Sequence, residues 1–434
     1  MLHDPGHVES YPTSEPIRLP AGDKEILHRL AGELADYAAL PVHAEKAKLW
    51  TKLNDLRQER PMVWINEVPW HEMDVEGELT LRSTNPWARQ QEQALRRTIY
   101  QWRHFPADMV LDDHIACPLA IHSTDFGIVE DVDIAKTDDS NEIVSRHFNK
   151  QISEPEDIGK IRMPVVSHNE KATAIRFETM KDVYGDVMPV RLKGQTHIWF
   201  TPWDYLIRWW GVEDAMMDLI MRPDMVNAAV SRMVDAWMLE LDQLAGKNLL
   251  ALDNNNTRIG SGGYGYTTGL PNGNFEPGHV KPSNMWGCSN AQIFSEVSPE
   301  MHWEFALRHD MRWLERFGLT YYGCCEPLHN KMGILRKIKN LRKISVSAWA
   351  NIGKIVAEGG SEYVLSIKPN PAFLAEERWR PEAVAEDLKS KLAQASGCNV
   401  ELIMKDISTV AYKPQRLWEW SEIAMKIVEE HKKR

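Results

Sequence analysis

The stretch Gly323-Cys324-Cys325-Glu326-Pro327-Leu328-His329 puts two thiols, a carboxylate and an imidazole in one short segment. Thiolate, imidazole nitrogen and carboxylate are the donors that zinc takes. Cys324, Cys325 and His329 are therefore candidate zinc ligands, and Cys288 could add a fourth donor from a neighbouring strand. Glu326 could carry a proton as a general acid. Adjacent cysteines at a strand end point in different directions, so only one is expected to face a site. No Cys-x-x-Cys spacing occurs here, and cytosolic cysteines commonly pack as small hydrophobes, so both readings stand.

Other polar clusters follow short apolar runs. Asn66, Glu67, Trp70 and His71 follow the first run, and Asp112-Asp113-His114 follows the second. Asp253-Asn254-Asn255-Asn256 leads through Arg258 into Gly260-Ser261-Gly262-Gly263-Tyr264-Gly265-Tyr266. Lys405-Asp406 ends the last run. Asp112, His114, Asp253, Lys405 and Asp406 have the chemistry for acid–base work. Each has a plain alternative: a solvated turn for Asp112 and His114, an Asn-rich turn after Asp253, and a buried ion pair for Lys405-Asp406. The glycine-rich loop has no Gly-Lys-Thr ending, which argues against a phosphate loop. Asn66, Glu67, Trp70, Asn255, Trp286 and Tyr322 are candidate substrate contacts, the aromatics suiting a flat ligand.

The elements that must position these groups are legible as nine apolar runs: Met62–Asn66, Met109–Leu111, Val190–Leu192, Leu249–Leu252, Asn284–Trp286, Leu319–Tyr322, Ile344–Val346, Tyr363–Ile367 and Val400–Met404. Each suits a strand buried on both faces. Helical stretches follow several of them. Pro223 opens one, and Ser298 with Pro299 caps another. Repeated strand–helix alternation predicts an α/β chain, and about eight repeats favour a TIM (β/α)8 barrel over an open sheet. Nine runs for eight strands leave one outside the barrel. The expected organisation is a helical N-terminal extension over residues 1–60 and a barrel over 61–434. Residues 123–189, including Asp138-Asp139-Ser140-Asn141, read as an irregular insertion on its rim.

With 51 Lys and Arg against 62 Asp and Glu, the net charge is −11, so no global field draws nucleic acid or an anionic membrane. No apolar run approaches a membrane span, and Met1–Pro20 does not read as a signal peptide. Five cysteines, two of them adjacent, do not make a disulfide framework, and a cytoplasmic location is expected.

Four stretches carry a resemblance: Pro202-Trp203-Asp204-Tyr205-Leu206-Ile207, then Asp218-Leu219-Ile220-Met221-Arg222-Pro223-Asp224, then Ser298-Pro299-Glu300-Met301-His302-Trp303-Glu304-Phe305, then Tyr321-Tyr322-Gly323-Cys324-Cys325-Glu326. In order and spacing the chain resembles the uroporphyrinogen decarboxylase superfamily over roughly residues 60–430. The porphyrinogen decarboxylases have an Arg-Gln-Ala-Gly-Arg-Tyr stretch after the first strand, whereas Trp64-Ile65-Asn66-Glu67-Val68-Pro69-Trp70-His71 has no arginine, and Glu67 would repel a polycarboxylate. The cobamide-dependent methyltransferase branch is more similar. It implies a zinc site and transfer of a methyl group from a small methylated donor, such as an aryl methyl ether, to the cobalt of a separate corrinoid protein. The family's His-x-Cys pair is replaced by Cys324-Cys325-Glu326, and its late cysteine falls near Lys405-Asp406. No Asp-x-His-x-x-Gly stretch occurs, so the cobamide would come from the partner. A homodimer is a possible assembly. The rival expectations are a decarboxylase of a less anionic substrate and a non-catalytic ligand-binding member.

Overall fold

The computed structural model describes residues 17–135, 145–273 and 275–432. The Met1–Pro20 segment is thus mostly outside the described residues, as is Asp138–Asn141. Two helices, Ala21–Ala38 and Val42–Asn54, come first. Among the described residues twelve strands follow in chain order: β1 Met62–Ile65, β2 Ile115–Pro118, β3 Ile121–Ser123, β4 Val132–Ala135, β5 Ser145–Phe148, β6 Val166–His168, β7 Val190–Lys193, β8 Trp286–Ser289, β9 Leu319–Tyr322, β10 Leu341–Val346, β11 Val364–Ile367 and β12 Asn399–Met404. The fold is mixed α/β around a six-stranded parallel sheet in the order β1-β12-β11-β10-β9-β8.

Among the described residues no ladder joins the edge strands β1 and β8, and a gap lies where the expected barrel would close. Two expected strands fall in that gap. Met109–Leu111 forms no strand, and Leu249–Leu252 contributes only a parallel bridge between Leu250 and Gln195. Single links span the interval instead. Asp108 N–H donates to Val63 O at 3.0 Å, Gln195 N–H to Leu249 O at 2.7 Å, and Ala251 N–H to Gln195 O at 2.8 Å. At the far side Trp286 N–H donates to the Asp253 carboxylate at 3.0 Å. The fifth run is shifted: Pro282–Asn284 is a 3-10 turn, and the strand begins at Trp286.

Within the range 123–189, the described residues 123–135 and 145–189 are more regular than expected. They hold the β4–β5 antiparallel pair, β6, which pairs antiparallel with the preceding β3, and the helix Glu170–Tyr184, which packs near β2 and β7. As the sequence indicates, Pro223 opens the long helix Pro223–Gly246, and Ser298 Oγ accepts the Met301 N–H at the head of Pro299–His302. Val226, Ala229, Val230, Met233, Val234, Trp237 and Leu241 form the buried stripe of the long helix, at spacings of three and four.

The two faces of the main sheet differ because strand side chains alternate. One face holds Val63, Ile65, Tyr322, Ile344, Val346, Leu365, Ile367, Val400, Leu402 and Met404, all in the largest apolar cluster. The other carries Tyr321, Lys343, Ser345, Ser366 and Glu401, which are all fully buried. The glycine-rich loop plugs this polar face. A side chain at Gly262 would strike Tyr321 and Glu401, and one at Gly263 would strike Trp50. That close approach explains the glycines and leaves them no phosphate role.

Asp253 illustrates what such burial does. It is fully buried, and burial pushes its carboxyl up to about 8. The folded chain then keeps a proton that the unfolded chain releases near ~4. Folding stability should fall as the pH rises from about 4 to about 8 and level off beyond. In Asp253→Asn the fall should be smaller, which urea midpoints measured across that range would reveal; an identical pH profile would contradict it.

Candidate active site

Asn66, Lys368 and Lys405 lie two residues beyond Trp64, Ser366 and Ile403 on the polar side of the sheet. β1 and β12 are neighbours, so Glu67 and Asp406 meet at their ends. Both take left-handed backbone conformations, with φ of 57° and 56°. For residues other than glycine that strain costs on the order of 1 kcal/mol each, and it persists only where surrounding contacts enforce it. Those contacts are present: Asp406 N–H donates to Glu67 Oε2 at 3.2 Å, and Asn66 N–H to Met404 O at 2.8 Å.

Lys405 is the centre of the cluster. Its ammonium lies 3.5 Å from Cys324 Sγ and 3.7 Å from Cys325 Sγ. It is 3.0 Å from Asp406 Oδ1 and 3.9 Å from Glu67 Oε2. Burial alone would favour loss of its proton, but Cys324, Glu67, Cys325 and Asp406 outweigh that and keep it charged. Arg258 Nη2 donates to Glu67 Oε1 at 3.0 Å. Burial opposes ionisation of Glu67, yet Lys405 and Arg258 hold its carboxyl at about 2. The charge expected to repel an anionic substrate is thus already paired with two cations, which removes that argument.

The two sulfurs are 3.5 Å apart. The hydrogen bond between them raises the Cys324 thiol, as does burial. The same bond lowers Cys325; burial opposes it and Lys405 reinforces it. Cys325 is half-buried, and Cys324 is buried. Gly323, at φ 98°, sets the bend before them, and a side chain there would meet Leu328 and Ser345. Glu326 does not face this cluster as an acid. Its two oxygens accept the Cys324 N–H at 2.8 Å and the Ala291 N–H at 3.1 Å. Burial raises its carboxyl. Glu326 therefore clamps the cysteine turn, together with Ser345, whose Oγ donates to Cys324 O at 2.6 Å.

The donor set does not fit the expected zinc. Among the described residues no group of three or more His, Cys, Asp or Glu side chains is arranged to hold a metal ion. An ammonium lies beside the two sulfurs, and the other expected ligands are elsewhere. Cys288 Sγ lies 3.4 Å from Ile198 O in an apolar cluster with Trp286 and Tyr321. His329 lies past the turn, where burial lowers its imidazole and Lys354 and Lys331 add to the effect.

Of the other candidates, Asn66 joins the cluster, its Nδ2 donating to Gly262 O at 3.2 Å. The rest do not. His114 bonds Asp113 at 2.9 Å beside Arg191, and Asp112 lies on that turn. Asp253 supports Trp286, and Asn255 accepts from Thr257 within its own turn. Trp70 packs edge-on to Tyr100 under Arg97. Trp286 is fully buried and donates to Gly265 O at 2.8 Å. Tyr322 is fully buried and bonds His302 at 2.6 Å.

Several groups escaped the sequence reading. Lys368 donates to Tyr321 OH and Ser366 Oγ, each at 2.8 Å, and burial lowers it to about 7. Its signal was its place directly after the run Tyr363–Ile367. His197 accepts the Gly260 N–H at 2.8 Å, which puts the ring proton on Nδ1; burial lowers its imidazole to about 4. It follows no apolar run and had no such signal.

The fold resembles that of a solved protein. The chain superposes on a methyltransferase from Methanosarcina mazei with a TM-score of 0.50 at 11% identity, covering 89% of this chain and 98% of that one. At that identity the likeness is one of fold. No known family profile matches the chain. No curated protein matches it by sequence. Among the described residues no helix is long and apolar enough to cross a membrane.

Proposed function

We propose that the chain is a methyltransferase of the cobamide-dependent type, moving a methyl group from a small methylated donor, such as an aryl methyl ether, to the cobalt of a separate corrinoid protein. The observation that carries this reading is the buried Lys405 ammonium, held by Glu67, Asp406 and the two sulfurs at the ends of β1, β9 and β12. The fold likeness to a methyltransferase supports it. So do the strained Glu67 and Asp406 backbones, a feature that clusters at functional sites. In this reading the links across the β1–β8 gap complete a closed (β/α)8 barrel, whose strand ends are where such folds do chemistry.

The reaction breaks a methyl–heteroatom bond. The electron pair stays on the departing oxygen or nitrogen, and cobalt(I) of the partner, as methyl acceptor, supplies the attacking pair. This chain must then stabilise negative charge on the departing atom. Lys405 is a preorganised positive charge whose side chain is 3% exposed, and burial strengthens such stabilisation. Glu67 and Asp406 hold the ammonium in place, and Arg258 prevents Glu67 from neutralising it fully.

The test combines the chain with a corrinoid protein in its cobalt(I) state and a panel of methoxylated and N-methylated compounds. The corrin absorption should report cobalt methylation, with release of the demethylated product, only when the chain is present. Absence of methylation across the panel would sink the reading. One observation favours the decarboxylase as the second reading. Arg258, Lys368 and Lys405 gather around this cluster, and the buried Arg258 Nε has no hydrogen-bond partner among the described residues, as a site for a substrate carboxylate would require. Release of carbon dioxide from a carboxylated substrate would favour it.

A further inference from the structure

We infer that Cys324 and Cys325 form a dithiol site for a trivalent, thiophilic centre, of which a trivalent arsenical is the chemical class. Their sulfurs lie 3.5 Å apart, close enough for one large trivalent atom to bond to both. The pair is preorganised from three sides. Gly323 sets the bend, Glu326 holds the Cys324 N–H at 2.8 Å, and Ser345 holds the Cys324 carbonyl at 2.6 Å. Cys325 is half-buried and within reach of a small reagent, whereas Cys324 is 2% exposed. The order of bonding is then Cys325 first and Cys324 second. Lys405, 3.7 Å from Cys325 Sγ, favours the thiolate that makes the first bond. The other three cysteines, Cys117, Cys288 and Cys398, are buried.

The step balances without an oxidant. Two S–H bonds and the arsenic–oxygen bond of an R–As=O compound break. Two S–As bonds form, the oxygen leaves as water with both thiol protons, and arsenic stays trivalent. The second S–As bond closes within one molecule, and such linked binding exceeds single-site binding by about 10²–10⁴-fold. This inference does not depend on the methyltransferase reading.

The test uses phenylarsine oxide at one equivalent per chain and mass spectrometry of the intact protein. One adduct per chain is expected, stable to a monothiol wash and removed by a dithiol such as 2,3-dimercaptopropanol. Cys325→Ser and Cys324→Ser should each weaken retention by about 10²-fold or more, because each leaves a single thiol. Cys288→Ser should retain the adduct. Cys325 is half-buried, so Cys325→Ser should keep the wild-type melting curve and stand as the decisive variant if Cys324→Ser unfolds. An adduct retained by Cys325→Ser at the wild-type level, or one removed by the monothiol, would overturn the inference.

Discussion

Lys405→Met is expected to lower kcat for methyl transfer by about 10²–10³-fold, the loss typical when one preorganised electrostatic partner of a developing negative charge is removed. That corresponds to about 2.7–4 kcal/mol of transition-state stabilisation. KM for the methyl donor should change far less, because the charge acts mainly on the departing atom and little on the ground state. A second readout does not depend on the identity of the substrate. Lys405 helps hold the Cys325 thiol below its ordinary value, so its removal should move the pH profile of Cys325 alkylation upward. Glu67 keeps Arg258 as its partner at 3.0 Å, so the variant is not left with an unpaired carboxylate there. An unchanged kcat together with an unshifted alkylation profile would remove Lys405 from the centre of the site.

The largest expected loss of stability comes from the ion pair inside the sheet. Lys343 and Glu401 are both fully buried, with Nζ and Oε2 3.0 Å apart. Taking two charges out of water is costly, and removing one of them leaves the other uncompensated. Lys343→Met or Glu401→Leu alone should therefore cost about 3–5 kcal/mol of folding stability in urea titrations. The double variant should recover part of that loss, since a buried pair replaced by apolar groups is often close to neutral. Recovery should be incomplete. Glu401 also accepts the Gly263 N–H at 3.1 Å, and Lys343 also donates to Tyr264 O at 3.1 Å. Each backbone group left without a partner costs about 1–3 kcal/mol. A double variant whose loss equals the sum of the two single losses would show that the pair is not coupled.

Most strands of the six-stranded sheet were legible because a strand buried on both faces needs a short, nearly continuous apolar run. Leu319–Tyr322, Val364–Ile367 and Asn399–Met404 appear within a residue of where such runs lie. Helix starts were legible at Pro223 and at Ser298-Pro299, where local backbone chemistry is sufficient. Met109–Leu111 has the same composition as a strand yet forms none, because a ladder needs a partner in register and composition does not specify one.

The site divides along the same line. Its two ends, Cys324-Cys325 and Lys405-Asp406, stand out locally as reactive types directly after apolar runs. That these ends meet, with an ammonium beside the sulfurs, depends on the arrangement of β9 and β12 across the sheet and on the loop that brings in Arg258. Likewise, Glu326 reads as an acid in isolation, but two backbone N–H groups occupy its oxygens in the fold. Residue type determined which groups are able to do chemistry. Burial and the partners supplied by distant strands decided which carry charge, which are committed to holding the backbone, and which are left to act.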